Sequence, residues 1–208
     1  MLFSPYELYS YLNPNTVTGV LHIGAHLLEE KQYYNSVLHI PDKNIIWIEG
    51  SPEIYGIAKK MFPSSTLYQA LCSDRDGAEV EFMLTSNAQE SSSILEFGTH
   101  LQHHPHVKEI GKIKLKTTTV DTLLKDQDVS FVNCINIDVQ GAEQLVLKGA
   151  TSFLKNVKYI YAEVNTEEVY KGCCLLPDFD VFLAEYGFKR VLTKMTDFQW
   201  GDALYVKM

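Results

Sequence analysis

No apolar run in the 208-residue chain approaches the roughly 20 residues that cross a bilayer, so no membrane span is expected. Basic side chains are scarce: 18 Lys and Arg against 26 Asp and Glu give a formal net charge of −8. A general nucleic-acid binder neutralises phosphates with a basic surface, so nucleic acid is not an expected partner. The N-terminal MLFSPYELYSYLNP has no Lys or Arg and carries Pro5 and Glu7 early, unlike a secretory signal peptide. Cysteine is sparse too. Cys72, Cys134, Cys173 and Cys174 form no C-x-x-C pair, and a secreted disulfide framework uses more cysteines in a shorter chain. A reducing, cytoplasmic setting is therefore expected. There is neither an internal repeat nor a low-complexity tract. What the chain has is 46% hydrophobic residues, 12% of all residues being aromatic, enough for a single domain over 1–208 with a sizeable core.

Short apolar runs alternate with helical patterns. VTGVLHIG (17–24) reads as a buried strand and a tight turn, and 28–38 is long enough for a helix. NIIWIEG (44–50) is a second strand; Ser51 then caps a helix with Pro52 at its first position. TLYQALCS (66–73) is read as one third strand. Residues 79–84 and 112–117 alternate polar with apolar and are candidates to pair. NCINIDVQG (133–141) is again strand then turn, followed by a helix interrupted at Gly149, a strand over 158–165 and a helix over 178–188. RVLTKM and GDALYVKM close the pattern as an antiparallel pair. Buried strands separated by helices predict an α/β fold with a mainly parallel, doubly wound sheet. The 85–111 connection, with Ser91, Ser92, Ser93 and four histidines, is the expected acceptor-binding loop.

Ligands of open α/β sheets bind beyond the carboxyl ends of the strands. Those ends carry His22, Gly24 and His26, then Glu49, then Ser73 and Asp74, then Asp138 and Gln140, then Glu163 and Asn165. Gly24 allows close backbone approach at a turn. Glu49 follows His22 by 27 residues, where an acid accepts ribose hydroxyls. G-A-H-L-L has one glycine where a pyrophosphate turn needs three, so a nucleoside ligand without a diphosphate fits better than NAD or FAD. S-adenosylmethionine is the common one.

LHIGAH (21–26), IIWIEGSPEIY (45–55), ALCSDRDG (70–77), KTTTVDTLL (116–124), INIDVQGAEQLVLKGA (135–150) and YAEVN (161–165) together resemble the FkbM-type S-adenosylmethionine-dependent methyltransferases. The block D-V-Q-G-A-E followed by L-K-G-A is the most specific; SSSIL and WGDALY resemble one branch. The resemblance implies a Rossmann-like class I methyltransferase fold with a seven-stranded sheet and an antiparallel last strand. It implies O-methylation, often of a sugar in a glycan or natural product. Gly24, with Ala25 and His22 beside it, would hold the methionine end of the cofactor. Glu49 and Gly50 would lie at the ribose, Ser73 and Asp74 near the adenine, and Asp138 beside the sulfonium with Glu163 close by. Two positions depart from the pattern: His22 stands where Asp is usual, and Leu28 where a second glycine is common. Glu29 or Glu30 is a candidate replacement for the missing acid.

Methyl transfer to a hydroxyl needs an in-line approach and a proton acceptor or a metal ion. Asp138 is the first candidate for either task, its alternative being a hydrogen bond to cofactor or helix. His26 is a second candidate base, or a cofactor contact, or a packing residue. Glu163 is a catalytic candidate because unpaired polar groups on a buried strand are costly; Asn165, for the same reason, joins the acceptor contacts. Ser92, Ser93, His100, Gln140 and Trp200 complete the candidate acceptor contacts, with a solvated turn or core packing as their plain alternatives. His100 and His104 share a face only if a helix continues, and Pro105 opposes that, so a histidine metal site is disfavoured. A divalent metal, if used, would sit at Asp138. The partner expected is a carbohydrate or glycan, with the chain possible as one part of a larger glycan-modifying protein. Two other functions stay open: a cofactor-binding interaction module without turnover, and a methyltransferase of a small metabolite.

Overall fold

The structure, a computed structural model, describes all 208 residues. In chain order its strands are β1 (Val20–Ile23), β2 (Ile45–Glu49), β3 (Thr66–Gln69), β4 (Leu71–Cys72), β5 (Glu79–Thr85), β6 (Glu109–Thr118), β7 (Cys134–Ile137), β8 (Tyr159–Asn165), β9 (Phe188–Met195) and β10 (Trp200–Lys207). Seven of them form one sheet in the order β3-β2-β1-β7-β8-β10-β9, and the others form a small sheet, β4-β6-β5. The main sheet is parallel except for β10, which runs antiparallel to both β8 and β9. The mainly parallel seven-stranded sheet agrees with the expectation.

Alternation along the buried strands explains why both faces are covered. Leu21, Ile23, Ile46 and Ile48 enter one core, while Val20, Ile45 and Trp47 enter the other. The second core also takes Phe3, Leu8 and Leu12, from in and around the short helix α1 (Pro5–Leu8), and Tyr34 from α2 (Lys31–Ser36). Helix α3 (Pro52–Met61) starts as the sequence predicts: Ser51 Oγ accepts from Ile54 N at 3.3 Å and Pro52 occupies the first turn. The remaining helices are α4 (His100–His103), α5 (Val120–Leu124), α6 (Glu143–Lys148) and α7 (Leu176–Ala184).

Three expectations change. The 66–73 run is not one strand: Ala70 N bonds to Glu49 O at 3.0 Å, and Leu71 and Cys72 then leave the main sheet to pair with Thr117 and Thr118. The predicted helix over 28–38 shortens to α2 because Leu28 adopts a left-handed φ of +61°. The 85–111 connection is not structureless. It carries α4, pairs Ser93 with Met83, and pairs Phe97 with Tyr170. By contrast, β5 and β6 pair antiparallel from Glu79↔Lys116 onward, as their alternation predicts, and the helix after β7 breaks at Gly149. A Cβ there would lie 2.1 Å from Ser73 O.

Candidate active site

Strand order reverses at β1, whose neighbours β2 and β7 lead away in opposite directions, and the ends of these strands open a crevice. Register fixes its floor. Ile23 pairs with Ile137 and Ile137 with Ala162, so Gly24, Asp138 and Glu163 stand side by side one residue further on. Gly24 has φ +84°, and a Cβ there would fall 1.7 Å from Asp138 O, so only glycine fits this crossing.

The crevice has two connected parts that share Gly24, His26, Glu90, Asp138 and Gln140. One is an open cleft of about 600 Å³. The other is a narrow slot of about 70 Å³ walled by Ile48, Leu71, Phe82 and Val139, with Glu49 and Gly50 at its side. Flat apolar walls beside a carboxylate are the chemistry of a nucleoside site. Glu49 is buried and raised above the usual carboxylate range by that burial. Its Oε2 accepts from His26 N at 2.8 Å and its Oε1 from Ser51 N at 2.7 Å, which holds it at the slot with lone pairs to spare.

Acids concentrate at the floor. Asp138, Glu143 and Glu163 each place a carboxylate oxygen within 4.8 Å of the others. Burial, with the neighbouring acids adding to it, raises all three: Glu163 well above its ordinary range, Glu143 to about 7 and Asp138 to about 6, although the Asp138 side chain opens to solvent in the cleft. Glu143 Oε1 accepts from Val139 N (2.9 Å) and Gly141 N (3.1 Å). Gln140, with φ +57°, turns its amide between the other two acids. Its Nε2 donates to Asp138 Oδ1 at 2.6 Å and to Glu163 Oε2 at 3.1 Å, and its Oε1 accepts from Tyr170 OH at 2.6 Å. Asp202, paired with Glu163 across β8 and β10, accepts from Tyr161 OH and adds a fourth acid.

His22 is also at this floor, but buried and held neutral by desolvation. It stacks on Trp47 with ring centroids 5.0 Å apart, and its Nδ1 lies 3.0 Å from Tyr34 OH, which accepts from Asn136 Nδ2 at 2.6 Å. Both acids considered as its replacement line the cleft; Glu30 lies 3.9 Å from His22 Nδ1, whereas Glu29 is bonded to His26.

His26 does not have the geometry of a base. Its Nδ1 is 2.7 Å from Glu29 Oε1 and its Nε2 3.0 Å from Ala88 O, and the Glu29 hydrogen bond is the main cause that pushes it up to about 9. A cation with both N–H groups engaged has no lone pair for a proton. It fastens the segment after β5 to the first turn of the crevice. Gln89 fastens the same segment, accepting from Ser51 Oγ (2.7 Å) and donating to Glu53 Oε2 (2.8 Å).

The other sequence candidates divide by position. Ser92 lines the slot, and His100 and Trp200 line the cleft. Ser93 is buried and donates to Gln140 O at 2.8 Å, so it supports the turn. Asn165 is buried with neither amide atom hydrogen-bonded, and it lines neither part. Ala25 packs into the core behind the turn. Ser73 and Asp74 lie outside the crevice because the chain has already diverted into β4; Leu71 and Cys72 reach the slot instead, and Asp74 pairs with Arg75 at 3.3 Å. No histidine belongs to a set of three possible metal ligands. Residues that sequence reasoning passed over are Tyr34, Tyr170, Glu143, Asp202 and Gln89. Glu143 and Asp202 had a signal: Glu143 ends the D-V-Q-G-A-E motif, and Asp202 is the one acid in a stretch, WGDAL, otherwise apolar or small.

A model of the methyltransferase FkbM domain matches residues 22–190. The 2-O-methyltransferase NoeI of Sinorhizobium fredii is 30% identical over 128 residues, 55% of this chain and 52% of NoeI. The hexuronic acid methyltransferase AglP of Haloferax volcanii is 34% identical over 76 residues, 36% of this chain and 30% of AglP. The chain thus spans about half or less of the curated relatives it matches. Among solved structures, a methyltransferase FkbM from Methylobacillus flagellatus superposes with TM-score 0.59 at 13% identity, over 91% of this chain and 43% of that one. A SAM-dependent methyltransferase from Aquifex aeolicus superposes with TM-score 0.51 at 12% identity, over 100% of this chain and 91% of that one. Both share the fold. With the family's domain matched over residues 22–190, most of this chain, and the D-V-Q-G-A-E acids gathered at one crevice, the chain belongs to the FkbM methyltransferase family.

Proposed function

We propose that the chain is an S-adenosylmethionine-dependent O-methyltransferase acting on a hydroxyl of a sugar or glycan. The observation that carries this reading is the acid group at the carboxyl ends of β7 and β8, where the open cleft meets an apolar slot with its own carboxylate. The slot suits an adenine and Glu49 suits the ribose hydroxyls; Asp138 and Glu163 suit the positive end of the same molecule. The cofactor, when bound, supplies an electrophilic methyl group. The chain's own residues do the rest. Trp200 offers a flat apolar face to a sugar ring, and the Gln140 amide, bonded to both Asp138 and Glu163, fixes their orientation. Asp138, raised to about 6, is a carboxylate at neutral pH, and its second oxygen accepts the hydroxyl proton as the new C–O bond forms. The relatives named as a 2-O-methyltransferase and a hexuronic acid methyltransferase support the sugar as acceptor class.

A divalent cation would need the space between Asp138 and Glu163, which the Gln140 amide already bridges, and it would need Glu143 to give up two backbone donors. Transfer is therefore expected to persist in a chelator. The test is calorimetric titration with S-adenosylmethionine and S-adenosylhomocysteine, with NAD as control, followed by release of S-adenosylhomocysteine over a sugar panel. Binding of the first two and turnover on a sugar is the expected result. Binding without turnover on any sugar would leave a cofactor-binding module, and turnover on non-sugar metabolites alone would replace the acceptor class.

A further inference from the structure

The acceptor side of the cleft has a charge pattern that narrows the class of sugar. Six of its side chains are acidic: Glu29, Glu30, Glu90, Asp138, Glu163 and Asp202; Glu29 is paired with His26 and burial raises Glu163 well above its ordinary range, so the uncompensated charge rests with the others. No Lys or Arg lines it. The Met1 amino group at its rim faces Glu30 at 3.5 Å. Four of the five histidines there do not make up the deficit. His26 gives its charge to Glu29, and His22, His100 and His104 are disfavoured as cations by desolvation, as their lowered affinity for protons shows. A carboxylate on the acceptor would thus meet like charge without a partner, and recognition of a carboxylate calls for an Arg fork or a Lys.

Resting on the assignment of a sugar acceptor, we infer that this cleft takes an uncharged sugar and excludes uronic acids and other anionic sugars. The polar groups that face the cleft are of the right kind for neutral hydroxyls: carboxylates accept them, and the Asn87 amide and Ser91 hydroxyl line the same space. Trp200 supplies the ring face on which an uncharged pyranose packs. The exclusion is electrostatic. Each close like-charge contact in a solvated cleft costs on the order of 1 kcal/mol, or roughly fivefold, and several acids act together.

The test measures transfer by the wild-type protein to matched pairs of acceptors, methyl hexopyranosides and the corresponding methyl hexopyranosiduronates, at low salt. The uncharged member should be favoured by at least tenfold in kcat/KM, with the gap narrowing at high salt. A uronate accepted equally well or better would overturn the inference while leaving the sugar assignment intact; no transfer to either class would overturn both. A second arm uses Glu90→Lys, at an exposed rim position whose side chain makes no hydrogen bond within the chain. Uronate transfer should rise by roughly fivefold relative to the uncharged partner. An unchanged ratio in that variant would also refute the electrostatic exclusion.

Discussion

Glu143 is the buried acid whose charge state most directly couples the site to stability, and Glu143→Gln isolates it. Its carboxyl is surrounded by protein beside Asp138 and raised from 4.5 to about 7, chiefly by desolvation. Between those two pH values the folded protein keeps a proton that the unfolded chain has released. Stability therefore falls as pH rises through this window and stays low above it. At about 1.4 kcal/mol for each pH unit, the full interval from 4.5 to about 7 amounts to about 3 kcal/mol. Asp138 and Glu163 titrate with it, so part of that loss belongs to them and about 1–3 kcal/mol is expected for Glu143 alone. Glutamine keeps an oxygen for the Val139 and Gly141 amides and turns its NH₂ toward the other acids. The variant should match wild type in thermal midpoint near pH 4.5 and exceed it at pH 8 by roughly 2–4 °C per kcal/mol, or about 2–12 °C. Thermal unfolding followed by circular dichroism over pH 4.5–8.5 measures this. Parallel curves for the two proteins would refute the assignment of a buried, pH-dependent carboxylate at the site.

Asp138→Asn should lower kcat by at least a hundredfold, beyond any weakening of S-adenosylmethionine binding from the lost charge, with turnover at saturating cofactor read alongside calorimetry; full activity would remove Asp138 as proton acceptor. Glu49→Ala should weaken cofactor binding by about 2–4 kcal/mol through the lost ribose hydrogen bonds, and unchanged affinity would place the ribose elsewhere. The His26 imidazolium has a raised affinity for protons, so its hold on Ala88 is complete below about pH 6.5 and lost as pH rises through about 9. His26→Ala should make the 85–93 segment more susceptible to limited proteolysis at pH 7, a result absent if that contact does not hold the segment.

Much of the frame was legible in the chain. Four- to seven-residue runs such as VLHI, IIWI and CINI, each bounded by a turn and a helical pattern, admit little but a parallel sheet covered on both faces. Polar residues following such runs had to lie at strand ends, which located Gly24, Glu49, Asp138 and Glu163. Short-range patterns also gave the Ser51 cap and the Gly149 break, because each is decided by neighbours in sequence, and matching alternation made 79–84 and 112–117 candidates to pair without fixing their register. What the sequence could not decide was anything set by contacts between distant segments. Tyr170 reaches Gln140, Gln140 spans Asp138 and Glu163, and Asp202 meets Glu163 only through the β8–β10 register. The strand predicted over 66–73 splits because its last residues find partners in β6, some 45 positions further on, and that diversion takes Ser73 and Asp74 away from the slot. His26 reads as a base when judged by residue type and place. Only the fold brings Glu29 and Ala88 to its two nitrogens, and hydrogen bonding to both fixes it as a cation. Local periodicity thus determines the elements and the row of groups at their ends, while charge state, hydrogen-bond partners and the shape of the cleft arise from which elements pack together.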